Sequence, residues 1–385
     1  MFADRTNWNL AANRLSTALD KLRAAGQHVL DLTVSNPTKC GFAYDAPAVL
    51  ASLCNPKVLT YEPDPRGLET ARSAVASYYA ARGDTVASND IVLTASTSEA
   101  YSYVFRALCN PGDEVLIPAP SYPLFGFLAD LQDVQLVRYP LLYDHGWQID
   151  FHALQQATTP RTRGVIVVHP NNPTGHFVSQ RDAAQLNEIC RAHDIAIIAD
   201  EVFLDFSLSE AKTASFAANA GALTFTMSGL SKISGLPQMK LAWLIINGPE
   251  DLKCQALARV EVIADTYLSV STPVQLAARA LLELRRGFQK QLMARVRRNL
   301  ADLDRQVAAH SSCRRLELEG GWYAVLRVPA TRSDEDLAIQ LLETKQTYVH
   351  PGHFYDFPGE GFLVVSLIAP EEDFAEGIRR LLLLV

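Results

Sequence analysis

The residue whose setting is hardest to explain by packing is a lysine. Lys232 closes the string Thr226-Met227-Ser228-Gly229-Leu230-Ser231-Lys232, after an apolar run at 222–227 and before the turn Ser234-Gly235-Leu236-Pro237. An amine at a strand end, flanked by small hydroxyl residues, is suited to forming an imine with an aldehyde cofactor. Asp200 ends a second apolar run at 195–199. A carboxylate there can pair with a protonated ring nitrogen and keep it protonated, or it can serve as a helix cap or metal ligand. Asn171-Asn172-Pro173-Thr174-Gly175 follows a run at 165–169. These residues favour turns, and the Asn172 amide can also donate to a phenolate-like ring oxygen. Ser96, Thr97 and Ser98 lie between a run at 91–94 and a helix expected over 101–108. Hydroxyls and free N–H groups at a helix N-terminus suit a phosphate, though they also suit a plain cap. Tyr122, in Pro120-Ser121-Tyr122-Pro123, can stack on a planar ring or pack in the core. Tyr61, in Tyr61-Glu62-Pro63-Asp64-Pro65-Arg66-Gly67, reads by itself as a loop tyrosine.

These groups need a scaffold that brings strand ends together. Apolar runs at 91–94, 114–117, 134–139, 165–169, 195–200, 223–227 and 241–246 alternate with helical patterns. That alternation predicts an α/β fold with a mostly parallel sheet of the seven-stranded type. Ligands bind at the carboxyl ends of such strands, where every cluster above falls. Later, strands at 322–328 and 363–367 flank a helix at 334–344, and a helix from 371 to 384 closes the chain. The expected division is a large cofactor domain at 45–280 and a smaller α+β domain at 281–385. The N-terminal arm 1–44 belongs with the smaller part, through its segment 29–34.

Composition narrows the function classes. The chain has 385 residues, 48% hydrophobic and 20% charged, with a net charge of −7, which argues against general nucleic-acid binding. Its densest basic stretch, Arg285 to Arg298, interleaves with Leu284, Phe288, Leu292, Val296 and Leu300, the pattern of an amphipathic helix with a solvated cationic face. Six scattered cysteines form no Cys-x-x-Cys pair, so no zinc site or redox dithiol is expected, and a reducing cytoplasm fits. No signal-peptide core and no membrane-length apolar run is expected. The segment 94–100 is no Walker loop, since the Gly-x-x-x-x-Gly-Lys string is absent, and the missing Gly-x-Gly-x-x-Gly fingerprint argues against a dinucleotide enzyme.

Asn-Asn-Pro-Thr-Gly, then Asp200, then Ser231-Lys232, at these intervals and over nearly the whole chain, resemble the class I/II aminotransferases, pyridoxal-phosphate enzymes of fold type I. The resemblance implies pyridoxal 5′-phosphate as cofactor, with Lys232 forming the internal aldimine and shuttling the proton. It implies that Asp200 pairs with the pyridine nitrogen, Asn172 bonds the ring oxygen and Tyr122 stacks on the ring. Ser96, Thr97 and Ser98 would hold the phosphate, with Ser228 a further candidate. Tyr61 would reach the phosphate of a partner subunit in a homodimer with shared active sites. Ser35 and Asn36 would lie over the substrate. The chain departs from the family pattern at Phe203, where tyrosine is common, and at Lys240, where arginine is a frequent phosphate ligand. Ser-Gly-Leu-Ser-Lys displaces the usual first serine by one. Aligning Ser366 with a family serine puts Val364 where an arginine usually clamps the substrate carboxylate. Arg327, His350 and His353 are the nearby groups that could substitute.

The reaction implied is transfer of an amino group between an amino donor and an oxo acid. Lost contacts at Phe203 and Val364 leave room for a lyase or decarboxylase on the same scaffold. A third reading, a cofactor-binding sensor without turnover, normally needs an added DNA-binding domain, and the negative charge argues against it.

Overall fold

The computed structural model describes residues 1–209 and 213–385. The larger sheet has the strand order Ile91–Thr94, Ala242–Asn247, Thr224–Gly229, Ala196–Asp200, Thr162–Val168, Glu114–Ala119, Gln135–Tyr143 and Trp147–Ile149. All seven expected runs are strands of this sheet. An eighth, Trp147–Ile149, turns back antiparallel on Gln135–Tyr143 and is too short to show a period. Ala242–Asn247 is antiparallel to both neighbours, and the five strands from Thr224–Gly229 to Gln135–Tyr143 pair in parallel. Ile91–Thr94, Ala196–Asp200 and Thr224–Gly229 are buried at every position. Helices cover both faces of the sheet, so Ile91–Thr94 and Ala196–Asp200 read as continuous apolar runs rather than alternating ones, while Thr224–Gly229 interleaves buried Thr224, Thr226 and Ser228 with Phe225 and Met227.

Two hydrophobic layers hold the sheet between its helices. Val92, Val115, Ile166, Ile198, Phe225 and Leu244 pack with Val104 and Val260 on one face. Leu116, Val165, Val167 and Ile197 pack with Leu186 and Ile189 on the other. Parallel strands then end along one edge, which carries Asp200, the Asn172 loop and Ser228 to neighbouring positions.

A second sheet of four antiparallel strands has the order Arg314–Arg315, Tyr323–Arg327, Phe362–Ser366, His350–Pro351. The helices Asp334–Lys345 and Glu371–Leu382 pack with it. The N-terminal segment joins this part of the molecule: Leu30–Asp31 pairs in parallel with Thr347–Tyr348, and Ser366 donates both its N–H to Leu32 O and its hydroxyl to Val34 O.

The helix Thr272–Ala308 runs 37 residues through the expected division at 280/281. Its first half buries Val274, Ala277, Ala278 and Leu281 beside Ile91 and Trp243. Its second half buries Phe288, Leu292, Val296 and Leu303 beside Trp322 and Leu363. The basic stretch is the second half of this helix, with Arg286, Lys290, Arg297 and Arg298 exposed. Nothing in 272–284 breaks a helix once Pro273 has been spent in its first turn, so it starts a dozen residues earlier than the basic pattern alone shows.

Candidate active site

Lys232 lies in the short helix Leu230–Ile233, which follows directly on the strand Thr224–Gly229. Gly229 permits that turn: a Cβ there would sit 2.8 Å from the Ala242 Cβ on the adjoining strand. The lysine enters a cavity of about 140 Å³ lined also by Ser35, Thr97, Ser98, Tyr122, Asn172, Asp200 and Phe203. Eight of the thirteen residues singled out from the sequence therefore share one small space. A larger cavity of about 970 Å³ beside Ser215 and Glu319 contains none of them.

Each wall has a local cause. The Thr97–Leu108 helix begins four residues earlier than expected, because Ser96 caps it and accepts the Glu99 N–H at 3.2 Å. Glu99 returns the contact by accepting the Ala95 N–H at 2.6 Å. The cap satisfies Glu99, and the first-turn N–H groups of Thr97 and Ser98 have no partner in the helix. The Asn172 loop is tied down by Asn171, whose amide donates to Pro120 O at 3.2 Å and to the Thr174 hydroxyl at 2.9 Å. Gly175 closes that loop at φ +71°, where a Cβ would lie 2.4 Å from Gly320 O. Phe203 packs edge-on against Trp322, with centroids 4.9 Å apart.

The electrostatics of the pair at the centre are set by burial. Asp200 is pushed up to about 6 by desolvation, against the pull of the Val202 N–H, the Tyr101 hydroxyl and Lys232. Lys232 is pushed down to about 8, again by desolvation, which the Asp200 charge partly offsets. Its Nζ sits over the Trp322 ring at 5.2 Å and the Phe203 ring at 5.9 Å. At pH 7 roughly one such amine in ten is neutral and nucleophilic, against roughly one in three thousand for an ordinary lysine.

These residues fit pyridoxal phosphate. The Asn172 amide oxygen is buried and without a partner among the described residues, so the amide is uncommitted beside the cavity. Asp200 is a buried carboxylate, Tyr122 supplies an aromatic face, and Thr97 and Ser98 place hydroxyls at a helix start that favours an anion. No group of acidic, histidine or cysteine residues able to hold a metal ion occurs among the described residues.

Five expected residues fall outside this space, each for a visible reason. Ser96 is used in capping. Ser228 is buried and donates to Glu201 O at 3.2 Å. Asn36 accepts from both the N–H and the hydroxyl of Thr38. Lys240 is exposed, at φ 50°, where it ends the short turn Pro237–Met239. Tyr61 is 77% exposed, in a separate depression beside Ser269 and Gln275. The groups named as substitutes for a carboxylate clamp also lie elsewhere. Val364 is buried between Val325 and His350, Arg327 donates to Glu360 O and lies over the Phe362 ring, and His350 contacts the Tyr355 hydroxyl at 3.0 Å. His353 is exposed.

The residues that sequence reasoning missed are Tyr101, Ser231, Tyr323 and the Val202 N–H. Ser231, Val202 and Tyr323 line the cavity. Tyr101 donates to Asp200 Oδ2 at 3.1 Å, and the Val202 N–H donates to Oδ1 at 3.1 Å. One signal was present: Ala100, Tyr101, Val104 and Phe105 form the buried face of a helix, and a phenol on an apolar face needs a partner.

Known proteins with the same pattern are numerous. The Escherichia coli glutamate-pyruvate aminotransferase AlaA is 33% identical over 264 residues, covering 68% of this chain and 65% of that protein, just under two thirds of its length. The Mycobacterium tuberculosis alanine aminotransferase is 29% identical over 378 residues, covering 94% of this chain and 86% of its own. Among solved structures, an Escherichia coli aminotransferase superposes with a TM-score of 0.85 at 25% identity, covering 99% of this chain and 96% of its own. The Pyrococcus furiosus alanine aminotransferase shares the fold, with a TM-score of 0.87 at 23% identity, covering 99% of this chain and 98% of its own. The family profile described as aminotransferase class I and II matches residues 29–381, and the cofactor of that family is pyridoxal 5′-phosphate. With a match of that extent, this chain belongs to the class I and II aminotransferases.

Proposed function

We propose that this chain is a pyridoxal-phosphate-dependent aminotransferase that moves an amino group between an amino donor and an oxo acid. The observation that carries the reading is Lys232, a part-buried amine brought toward neutrality in one small cavity with Asp200, Asn172, Tyr122, Thr97 and Ser98. Bound there, pyridoxal phosphate supplies an electron sink for the pair left on the substrate carbon when its proton departs. Asp200 would present its charge to the ring nitrogen, Asn172 would donate to the ring oxygen and Tyr122 would cover the ring. Thr97 and Ser98 would hold the phosphate at the helix start. The Lys232 Nζ would hold the cofactor's aldehyde group between turnovers and, when free, would act as the base that takes up the donor Cα proton and gives it back. Phe203 offers the ring oxygen no hydrogen bond, while Ser35 and Tyr323 present neutral hydroxyls to the substrate.

The assembly is a homodimer with shared sites, in which the exposed Tyr61 reaches the partner's phosphate. All six thiols are free, which supports a cytoplasmic setting, and no described helix is long and apolar enough to cross a membrane. The names of the bacterial relatives make glutamate and alanine the first donors to try, with pyruvate and 2-oxoglutarate as acceptors. The test mixes the yellow protein with each donor, and with amines lacking an α-carboxylate, and follows the cofactor absorbance through a single turnover. Conversion to the pyridoxamine form, reversed by an oxo acid, is expected. Release of ammonia without that conversion for every donor would replace transamination with elimination. Lys232→Ala must lose the yellow band.

A further inference from the structure

We propose that the Tyr101 hydroxyl is a positioning group for Asp200, holding its carboxylate ionised and in a single orientation toward the ring nitrogen of the cofactor. The inference rests on the reading above for what Asp200 faces, but the contact itself belongs to this chain alone. Both Asp200 oxygens accept one bond from the protein: Oδ2 from Tyr101 at 3.1 Å and Oδ1 from the Val202 N–H at 3.1 Å. One donor on each oxygen fixes rotation about the carboxyl bond and leaves each oxygen a further lone pair for a ligand.

Tyr101 is itself held rigidly. It is 2% exposed, and its ring meets Phe125 edge-on at 5.3 Å and Phe105 at 6.0 Å. Phe125 in turn meets Tyr122 edge-on at 6.2 Å. Three packed rings therefore connect the aromatic face offered to the cofactor with the acid below it, and a phenol held in this way cannot rotate off its acceptor.

The charge logic points the same way. The groups facing Asp200 are Tyr101 from the Thr97–Leu108 helix, Lys232 from the Leu230–Ile233 helix, Tyr122 from the loop after Glu114–Ala119, and the Val202 N–H from its own loop. Burial alone would drive this carboxyl toward its neutral form, and a neutral acid cannot keep a ring nitrogen protonated. Once the Lys232 amine is neutral or joined to the cofactor, its charge no longer supports Asp200, and the two hydrogen bonds carry that task. The Tyr101 phenol is raised well above its ordinary range by burial and by Asp200, so it remains a donor throughout the working pH range.

Tyr101→Phe keeps the ring and removes one bond to a charged acceptor, which corresponds to a rise of about one to two pH units in the Asp200 midpoint. The first readout needs no cofactor. Infrared titration of the full-length protein stripped of cofactor follows the carboxylic C=O stretch that Asp200→Asn abolishes, and that midpoint should move up in Tyr101→Phe. The second readout uses the holoenzyme: the acid limb of the kcat profile should move up by the same amount, with KM for the donor within about twofold of wild type. Placing 3,5-difluorotyrosine at position 101 makes the hydroxyl a stronger donor and should move both midpoints down, a reversal that loss of packing does not produce. An unchanged infrared midpoint in both variants overturns the proposal. If Tyr101→Phe does not fold, the fluorotyrosine arm decides alone. Failure of the wild-type protein to bind pyridoxal phosphate would overturn the functional reading and leave the infrared result standing by itself.

Discussion

Replacing Lys232 by methionine tests the central claim, that this amine is held in a site which disfavours its charge. Methionine keeps the length and most of the volume but removes the ammonium. In the protein stripped of cofactor, Lys232 titrates at about 8, whereas in the unfolded chain it titrates at its ordinary 10.5. The folded value is the lower one, so between these two values the unfolded state binds more protons, and stability rises with pH across that window. Below pH 8 the full penalty is present, and two and a half units amount to about 3 kcal/mol. By pH 9.5 the folded amine is neutral and about 1.4 kcal/mol of that penalty remains. Urea unfolding at pH 7 and 9.5 should therefore show the wild-type protein gaining about 2 kcal/mol on the methionine variant over that interval. Asp200 titrates at about 6 in the wild-type protein; without the Lys232 charge it titrates higher in the methionine variant, and because its folded value then lies further above the unfolded one, that variant loses stability as pH rises and the difference grows in the same direction. If the two proteins respond to pH in parallel, Lys232 is not desolvated as the structure has it, and its readiness to capture an aldehyde at neutral pH needs another cause.

Three further outcomes are expected. Asn172→Ala removes a donor to a charged ring oxygen and should weaken retention of pyridoxal phosphate by about tenfold to a hundredfold, measured by equilibrium dialysis. Phe203→Tyr adds a phenol to the cavity wall and should lower the pH midpoint of the cofactor's visible band by about one unit, read by absorbance titration. Gly175→Ala places a Cβ 2.0 Å from Leu318 Cδ1 at φ +71° and should cost about 2 to 4 kcal/mol, seen as a lowered Tm.

The parts of this protein legible in its sequence are those in which one local segment carries both the structural and the chemical signal. The runs ending at Asp200 and at Ser228-Gly229 are buried on both faces; the first shows as an unbroken apolar string stopped by a carboxylate, the second as an apolar and threonine run stopped by small residues. The fold places those stops on one edge of the sheet, beside Lys232 and Asn172. Trp147–Ile149 was illegible because it is too short for a period, whereas the start of the Thr272–Ala308 helix carries a local signal, Ser271 before Pro273, that lies a dozen residues ahead of the basic pattern. Within the site, the serines show the limit most clearly. Ser96 and Ser98 are alike in type and neighbourhood, yet the capping bond to Glu99 takes Ser96 out of the cavity. Lys240 has the charge for a phosphate, but its backbone turns it to solvent in the single chain. The local sequence determined which chemistry this protein can hold: an imine-forming lysine, an acid for a ring nitrogen and an amide for a ring oxygen. Only the tertiary structure decided what tunes them, because desolvation and hydrogen-bond partners come from residues far away in the chain. Tyr101 reaches Asp200 across 99 positions, and Trp322, just before a strand of the other sheet, places its ring under the Lys232 amine.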